Sequence, residues 1–218
     1  MPNKVLLLDS NILVDYYLQE RSSIVQSMKA LKKARQEGRC RLFIPNFCIA
    51  EVFSTFARKC YLNNDLNEAQ SRRAKWAFVD EISRDYEYAR YQFFTHIELN
   101  RYHLFNGHMV YTPAWEFVSS LHHEGRFEGK YPSTFDLLVI AQGIEMTSLY
   151  SEDNFRLVTS DALMLEICNY LQKIEKDQKL SYITKQKKEG SAYKYLDEFK
   201  YPKVLYAVKP ALVDKFLS

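Results

Sequence analysis

The sequence predicts an α/β fold: a three-layer α/β/α sandwich around a central, mostly parallel sheet, enlarged by helical insertions. Three observations predict it. Short apolar runs, Lys4 to Leu8 and Phe155 to Thr159, alternate with amphipathic helical patterns, the reading expected of strands buried on both faces of a parallel sheet. Each of these runs stops at a helix-capping acid, Asp9 or Asp161. A last short apolar run, Val204 to Val208, supplies another strand near the end of the chain.

The elements follow in order. Lys4 to Leu8 is a buried strand that turns directly into a helix at Asp9-Ser10-Asn11, all three being capping types, with Ile12, Leu13, Tyr16 and Tyr17 as its amphipathic residues. A second helix over about Ser22 to Glu37 ends at Gly38. Arg41 to Ile44 is a second strand. Pro45-Asn46 then opens a helix with an expected apolar face of Phe47, Ala50, Phe53, Ser54 and Ala57. Leu66 to Arg90 reads as one long polar helix or two, and Phe93 to Phe105 as helix or strand. Met109 to Thr112 is expected to be a third strand, with a helix starting at Pro113. Gly125, Gly129 and Pro132 mark a loop. Ser133-x-x-Asp136 has the form of a capping box opening a helix through Ile144. After the strand Phe155 to Thr159 a helix runs to about Glu175, and a charged stretch leads to Tyr201 and the final strand. The chain reads as one domain over 1–218, with insertions at about 61–108 and 169–203.

Composition narrows the function. The chain has 218 residues, 47% hydrophobic and 26% charged, enough to bury a core without disulfides or a structural metal. Only 6 glycines argue against a glycine-loop nucleotide binder. Lys and Arg number 30 against 27 for Asp and Glu, a balance that permits a nucleic-acid partner without demanding one. The basic residues cluster at Arg72, Arg73 and Lys75 and along Lys173 to Lys209. Cys40, Cys48, Cys60 and Cys168 have no CxxC spacing; they read as reduced, mostly buried thiols of a cytoplasmic protein. Neither the run before Asp9 nor Leu137 to Ala141 has the length of a signal-peptide core or a membrane span.

Four acids carry the chemistry. Asp9 and Asp161 end strands whose carboxyl ends share one sheet edge, where ligands bind at the point of strand-order reversal. Glu51 and Asp136 lie early in helices, and helix starts are found at that edge too. Carboxylates brought together raise one another's pKa and are relieved by a cation. Magnesium prefers oxygen ligands, and such ions polarise a phosphodiester and activate water for attack on it.

At these residues the chain resembles a family. Val5-Leu6-Leu7-Leu8-Asp9-Ser10-Asn11, Ile49-Ala50-Glu51-Val52, Phe135-Asp136-Leu137-Leu138-Val139-Ile140-Ala141 and Leu157-Val158-Thr159-Ser160-Asp161 look like the four acidic motifs of PIN domains, in the same order. The resemblance implies metal-dependent endonuclease activity, usually on RNA, with Mg2+ or Mn2+ as cofactor. It makes Asp9, Glu51, Asp136 and Asp161 the catalytic residues, as metal ligands or as holders of metal-bound waters, with Ser10, Asn11 and Thr159 supporting them. It also implies an RNA partner and, since many members are toxins of toxin–antitoxin pairs, an antitoxin or other protein partner; dimerisation is a family expectation. No membrane association is implied. Compared with the compact toxins, Glu51 and Asp136 are separated by a long aromatic segment, and Asn169 to Lys203 looks expanded. The alternative from another class is a catalytically inactive RNA-binding or scaffold protein on the same fold, whose mark would be loss of the acids; all four are present.

Other candidates have plainer readings. Asp9, Asp136 and Asp161 could each be simple helix caps, and Glu51 a solvated helix residue. Asp15 suits a surface or salt-bridge role and Asp153 a turn. His122 and His123 suit a helix C-terminus, and His96, His103 and His108 show no ligand spacing. The aromatics from Tyr86 to Tyr111, interleaved with Arg84, Arg90 and Arg101, suit core or dimer packing more than base stacking. The lysine-rich C-terminal stretch suits a solvated face. An aspartyl-phosphate phosphatase would want a second acid at Asn11, and a serine hydrolase a G-x-S-x-G elbow that the sequence lacks.

Overall fold

A computed structural model describes residues 4–87, 93–183 and 199–218. Five strands form one sheet: β1 (Lys4–Leu8), β2 (Cys40–Pro45), β3 (Phe94–Ile97), β4 (Phe155–Thr159) and β5 (Val204–Tyr206). Ten helices are described: α1 (Ser10–Leu18), α2 (Ser22–Gln36), α3 (Asn46–Tyr61), α4 (Glu68–Glu87), α5 (Arg101–Gly107), α6 (Tyr111–His123), α7 (Thr134–Tyr150), α8 (Ala162–Leu171), α9 (Lys176–Ile183) and α10 (Pro210–Leu217). The expected class is what folds, a parallel sheet flanked by helices.

Strand order is β3-β2-β1-β4-β5. The chain lays β2 and β3 on one side of β1, then returns to lay β4 and β5 on the other. The order therefore reverses between β1 and β4, which opens a crevice at their carboxyl ends. β1 and β2 run in register from Lys4 opposite Cys40 to Leu7 opposite Phe43. Asp9 and Pro45, each two residues further on, thus reach the same sheet edge.

The chain divides into two compact units. The first comprises Met1–Glu98, Val158–Ser160 and Leu205–Ser218. Its strands are apolar because both faces are covered: Leu6, Leu7, Leu8, Leu42 and Ile44 are fully buried. α1 packs on α2, α3 and α4, and α2 on β2 and α10. α1 ends at Gln19 in the left-handed region (φ 57°), and α2 runs out at Gly38 (φ 71°), where glycine avoids the Cβ clash. Fully buried Phe78 gathers Tyr17, Phe53 and Phe56 at ring distances of 5.1, 5.3 and 6.4 Å. Lys32 pairs with Glu81, which also accepts from Tyr17.

The second unit comprises Leu99–Leu157 and Asp161–Val204. α5 packs on α7 and α6 on α8. Tyr201 donates its hydroxyl to the Met109 carbonyl at 2.5 Å, and Phe117 stacks on Tyr170 at 4.3 Å. Asn100 caps α5 in a reciprocal box with His103, whose Nδ1 accepts from the Asn100 N–H at 3.0 Å. The proton of neutral His103 is therefore on Nε2, which faces the Glu145 carboxylate at close range.

Several sequence expectations are corrected. Met109 to Thr112 is not a strand: the N–H groups of Met109 and Val110 bond to Asn106 and Gly107 (3.0 and 2.9 Å). The buried run is a turn between α5 and α6, and α6 starts at Tyr111 rather than Pro113. The third strand is instead Phe94–Ile97, in register with Leu42 to Pro45. The buried face of α3 is Cys48, Val52, Phe56 and Cys60, at strict i, i+4 spacing, while Ala50, Ser54 and Ala57 face solvent. The helix after β4 ends at Leu171 and a separate α9 follows. The final strand stops at Tyr206, and α10 follows with Pro210 at its start. Arg90, Tyr88, Tyr91 and much of the C-terminal lysine stretch lie outside the described residues, as do the side chains of Arg84 and Tyr86. All four cysteines are buried, and none is in a disulfide. No helix among the described residues is long and apolar enough to cross a membrane.

Two tests follow from this packing. A Cβ at Gly143, in α7, would meet Pro202 Cγ at 2.8 Å. Gly143→Ala should therefore destabilise by roughly 1–3 kcal/mol despite alanine's better helix propensity, read by denaturant unfolding. Burial lowers the His103 pKa, outweighing the raising influence of Glu145. The unfolded chain then takes up the proton first. Stability is full above the unfolded value of about 6.5 and falls as pH drops below it. The thermal midpoint of the wild type should fall more between about pH 7 and pH 5.5 than that of His103→Gln.

Candidate active site

Asp9 is placed by the sheet. Its N–H donates to the Val158 carbonyl at 3.0 Å, continuing the pairing of β1 with β4 to the last residue before α1. It occupies the N-cap position of α1, with extended backbone, and its carbonyl accepts from Ile12 at 3.3 Å. Yet its side chain makes no capping hydrogen bond. The carboxylate turns instead toward the end of β4. There Oδ2 accepts from Thr159 Oγ1 at 2.8 Å and Asn11 Nδ2 at 3.2 Å, and Oδ1 from Ser10 Oγ at 3.4 Å. Asp9 is 1% exposed, and a carboxylate removed from water needs such partners. The three residues expected to support the acids thus surround Asp9. The simple-cap reading of Asp9 does not describe what its side chain does.

A second network steadies this crevice. Asp15, buried on α1, pairs with Arg21. Ser160 joins them, accepting from Arg21 at 2.7 Å and donating to Asp15 at 3.2 Å. The carboxylate on the first helix thereby grips the residue that follows Thr159. The salt-bridge reading of Asp15 holds, but its burial and its grip on Ser160 were not legible. The i, i+6 spacing of Asp15 and Arg21 matches no helical pair, because α1 ends between them.

Glu51 lies in the second turn of α3, which begins where β2 ends, at the same sheet edge as Asp9. It is half-buried, and among the described residues its side chain makes no ion pair or hydrogen bond. α3 packs on α1 in the first unit.

Asp136 and Asp161 both cap helices of the second unit. Asp136 accepts from the Ser133 N–H at 2.6 Å, and its own N–H donates to Ser133 Oγ at 3.1 Å, the capping box read from sequence. Asp161 Oδ1 accepts from the N–H groups of Leu163 and Met164 at 2.6 and 3.2 Å. For these two acids the capping role is realised through one oxygen of each.

Asp9 alone offers a buried carboxylate oriented by neutral donors, an oxygen ligand of the kind a hard divalent cation prefers. Among the described residues no group of three or more His, Cys, Asp or Glu side chains is close enough to hold a metal ion. The fit therefore rests on Asp9 and its surroundings. His122 and His123 sit in the last turn of α6, against the carbonyls of Lys130 (3.0 Å) and Ser119 (2.7 Å), and Asp153 lies in the turn before β4.

No protein-family model and no curated protein matches the sequence. Among solved structures, VapBC2 from Rickettsia felis, bound to a DNA fragment from its promoter, is similar at a TM-score of 0.41 and 16% identity, over 75% of this chain and 92% of that chain.

The cap at Asp161 can be separated from its charge. Asp161→Ala should lose about 0.5–2 kcal/mol of unfolding free energy, whereas Asp161→Asn, which keeps an accepting oxygen, should stay near wild type. Equal losses in both would contradict a capping role.

Proposed function

We propose that this chain is a metal-dependent endonuclease of the PIN kind, cutting phosphodiester bonds in RNA. The observation that carries the reading is Asp9. An aspartate kept at a helix N-cap only to cap would accept from backbone N–H groups of the first turn; the side chain of this one accepts instead from the side chains of Thr159, Asn11 and Ser10 at the strand-order reversal. That is where open α/β sheets bind ligands.

Asp9 and Glu51 are the ligands proposed from the first unit, with Asp136 and Asp161 completing the four through the resemblance of their motifs. Mg2+ or Mn2+, when bound, would supply Lewis-acid polarisation of the phosphodiester and neutralise developing charge. Thr159 and Asn11 fix the direction of the Asp9 carboxylate, so it need not reorganise to ligate. Asp15, Arg21 and Ser160 hold the end of β4 so that Thr159 keeps its place. Half-buried Glu51 supplies a carboxylate not spent on another side chain. The partners proposed with this activity are RNA, an antitoxin or other regulatory protein, and a second copy of the chain, in the cytoplasm.

End-labelled single-stranded RNA is the test. Cleavage should require Mg2+ or Mn2+, stop in excess chelator, and fall by at least about a hundredfold in Asp9→Asn with the thermal midpoint unchanged. Full activity in chelator, or in Asp9→Asn, would overturn the proposal.

A further inference from the structure

α4 carries three cations within one turn, Arg72, Arg73 and Lys75, all exposed. Elsewhere in this unit lysines near the helix packing are paired: Lys32 with Glu81 and Lys59 with Glu20. Among the described residues Arg72, Arg73 and Lys75 make no ion pair or side-chain hydrogen bond. Two large aromatics flank them. Trp76, one turn beyond Arg72, is 67% exposed, and Tyr61, the last residue of α3, is 69% exposed. Arg72 and Lys75 line a groove of about 380 Å³ with Tyr61, against the ends of α3 and α4. Arg72, Arg73 and Trp76 line a second depression beside it. Glu68 is the one acid lining either, so three cations face one carboxylate.

Trp76 is not part of the core, to which α4 contributes Ala74 and Phe78, so its ring is presented to solvent beside the arginines. Flat aromatic faces and spaced cations match a polymer that repeats a π-face and a phosphate. Single-stranded nucleic acid does so, stacking bases on aromatics while its backbone follows a basic groove. An acidic peptide would satisfy the cations but leave the ring of Trp76 without a stacking partner.

We propose that the α3/α4 surface binds single-stranded nucleic acid, with Trp76 and Tyr61 stacking on bases and Arg72, Arg73 and Lys75 contacting phosphates. The proposal does not rest on the metal site, because binding is measurable without cleavage. RNA and DNA share the recognised chemistry.

The test is fluorescence anisotropy with a labelled, unstructured RNA oligonucleotide and its DNA counterpart, in chelator, on the full chain. Trp76→Ala should weaken binding by roughly fivefold or more, the loss of one stacked base. Arg72→Ala with Arg73→Ala should weaken it further and make the salt dependence shallower by about 0.7 in log–log slope for each phosphate no longer neutralised. Both variants lie at exposed positions and should keep the wild-type thermal midpoint. Equal RNA and DNA affinities would assign recognition to bases and phosphates; tighter RNA binding would add a 2′-hydroxyl contact at the same surface. Binding is read in chelator and cleavage separately with Mg2+, so that loss of cleavage with binding kept marks the acidic site and loss of binding in chelator marks this one. Wild-type affinity in Trp76→Ala and in the arginine variant would overturn the proposal. So would displacement of the oligonucleotide by poly-glutamate at lower concentration than by unlabelled RNA, which would make the partner an acidic protein.

Discussion

The pairing of β1 with β4 is what the rest of the structure depends on. These strands come from distant parts of the chain and meet where strand order reverses. The bond from Asp9 N–H to Val158 carries the pairing to the strand ends, and the bond from Thr159 Oγ1 to Asp9 Oδ2 closes it with side chains. In a buried setting these donors serve two ends at once. They satisfy a carboxylate that would otherwise be expensive to bury, and they fix where it points. A sheet that paired these strands one residue out of step would turn Thr159 to the opposite face and leave Asp9 without it.

The surrounding elements support that junction. α1 starts from Asp9 and returns Asp15 to grip Ser160 through Arg21. β2 runs parallel to β1 and delivers α3, with Glu51, to the same edge. A residue just past a strand end is held by the ladder behind it and the helix ahead of it, which is why such positions suit chemistry in α/β folds.

Much of this was legible in the sequence, for physical reasons that differ by element. β1 and β4 were readable because strands covered on both faces are continuous apolar runs, and each is followed by an aspartate at a helix start. The box of Ser133 and Asp136 was readable because capping is local. α3 was harder: Ala50, Ser54 and Ala57 suggested an interior face, but Val52 and Phe56, with more volume to bury, turned inward. Met109 and Val110 misled because a buried turn and a short strand have the same composition; only their hydrogen bonds distinguish them. At the site, the type and position of Asp9 were legible, but its freedom from capping duty was not, since that depends on Thr159 arriving from 150 residues away. The link of Asp15 to Ser160 was hidden for the same reason.

The central proposal is that the Asp9 carboxylate, which caps no backbone N–H of α1, is held for a cation. Direct titration of Mn2+, with the free ion followed by electron paramagnetic resonance, tests it without reference to any substrate. The wild type should remove Mn2+ from solution in a saturable way, and Asp9→Asn should do so far more weakly at the same thermal midpoint. Equal uptake by both proteins, or none by the wild type, would contradict the account.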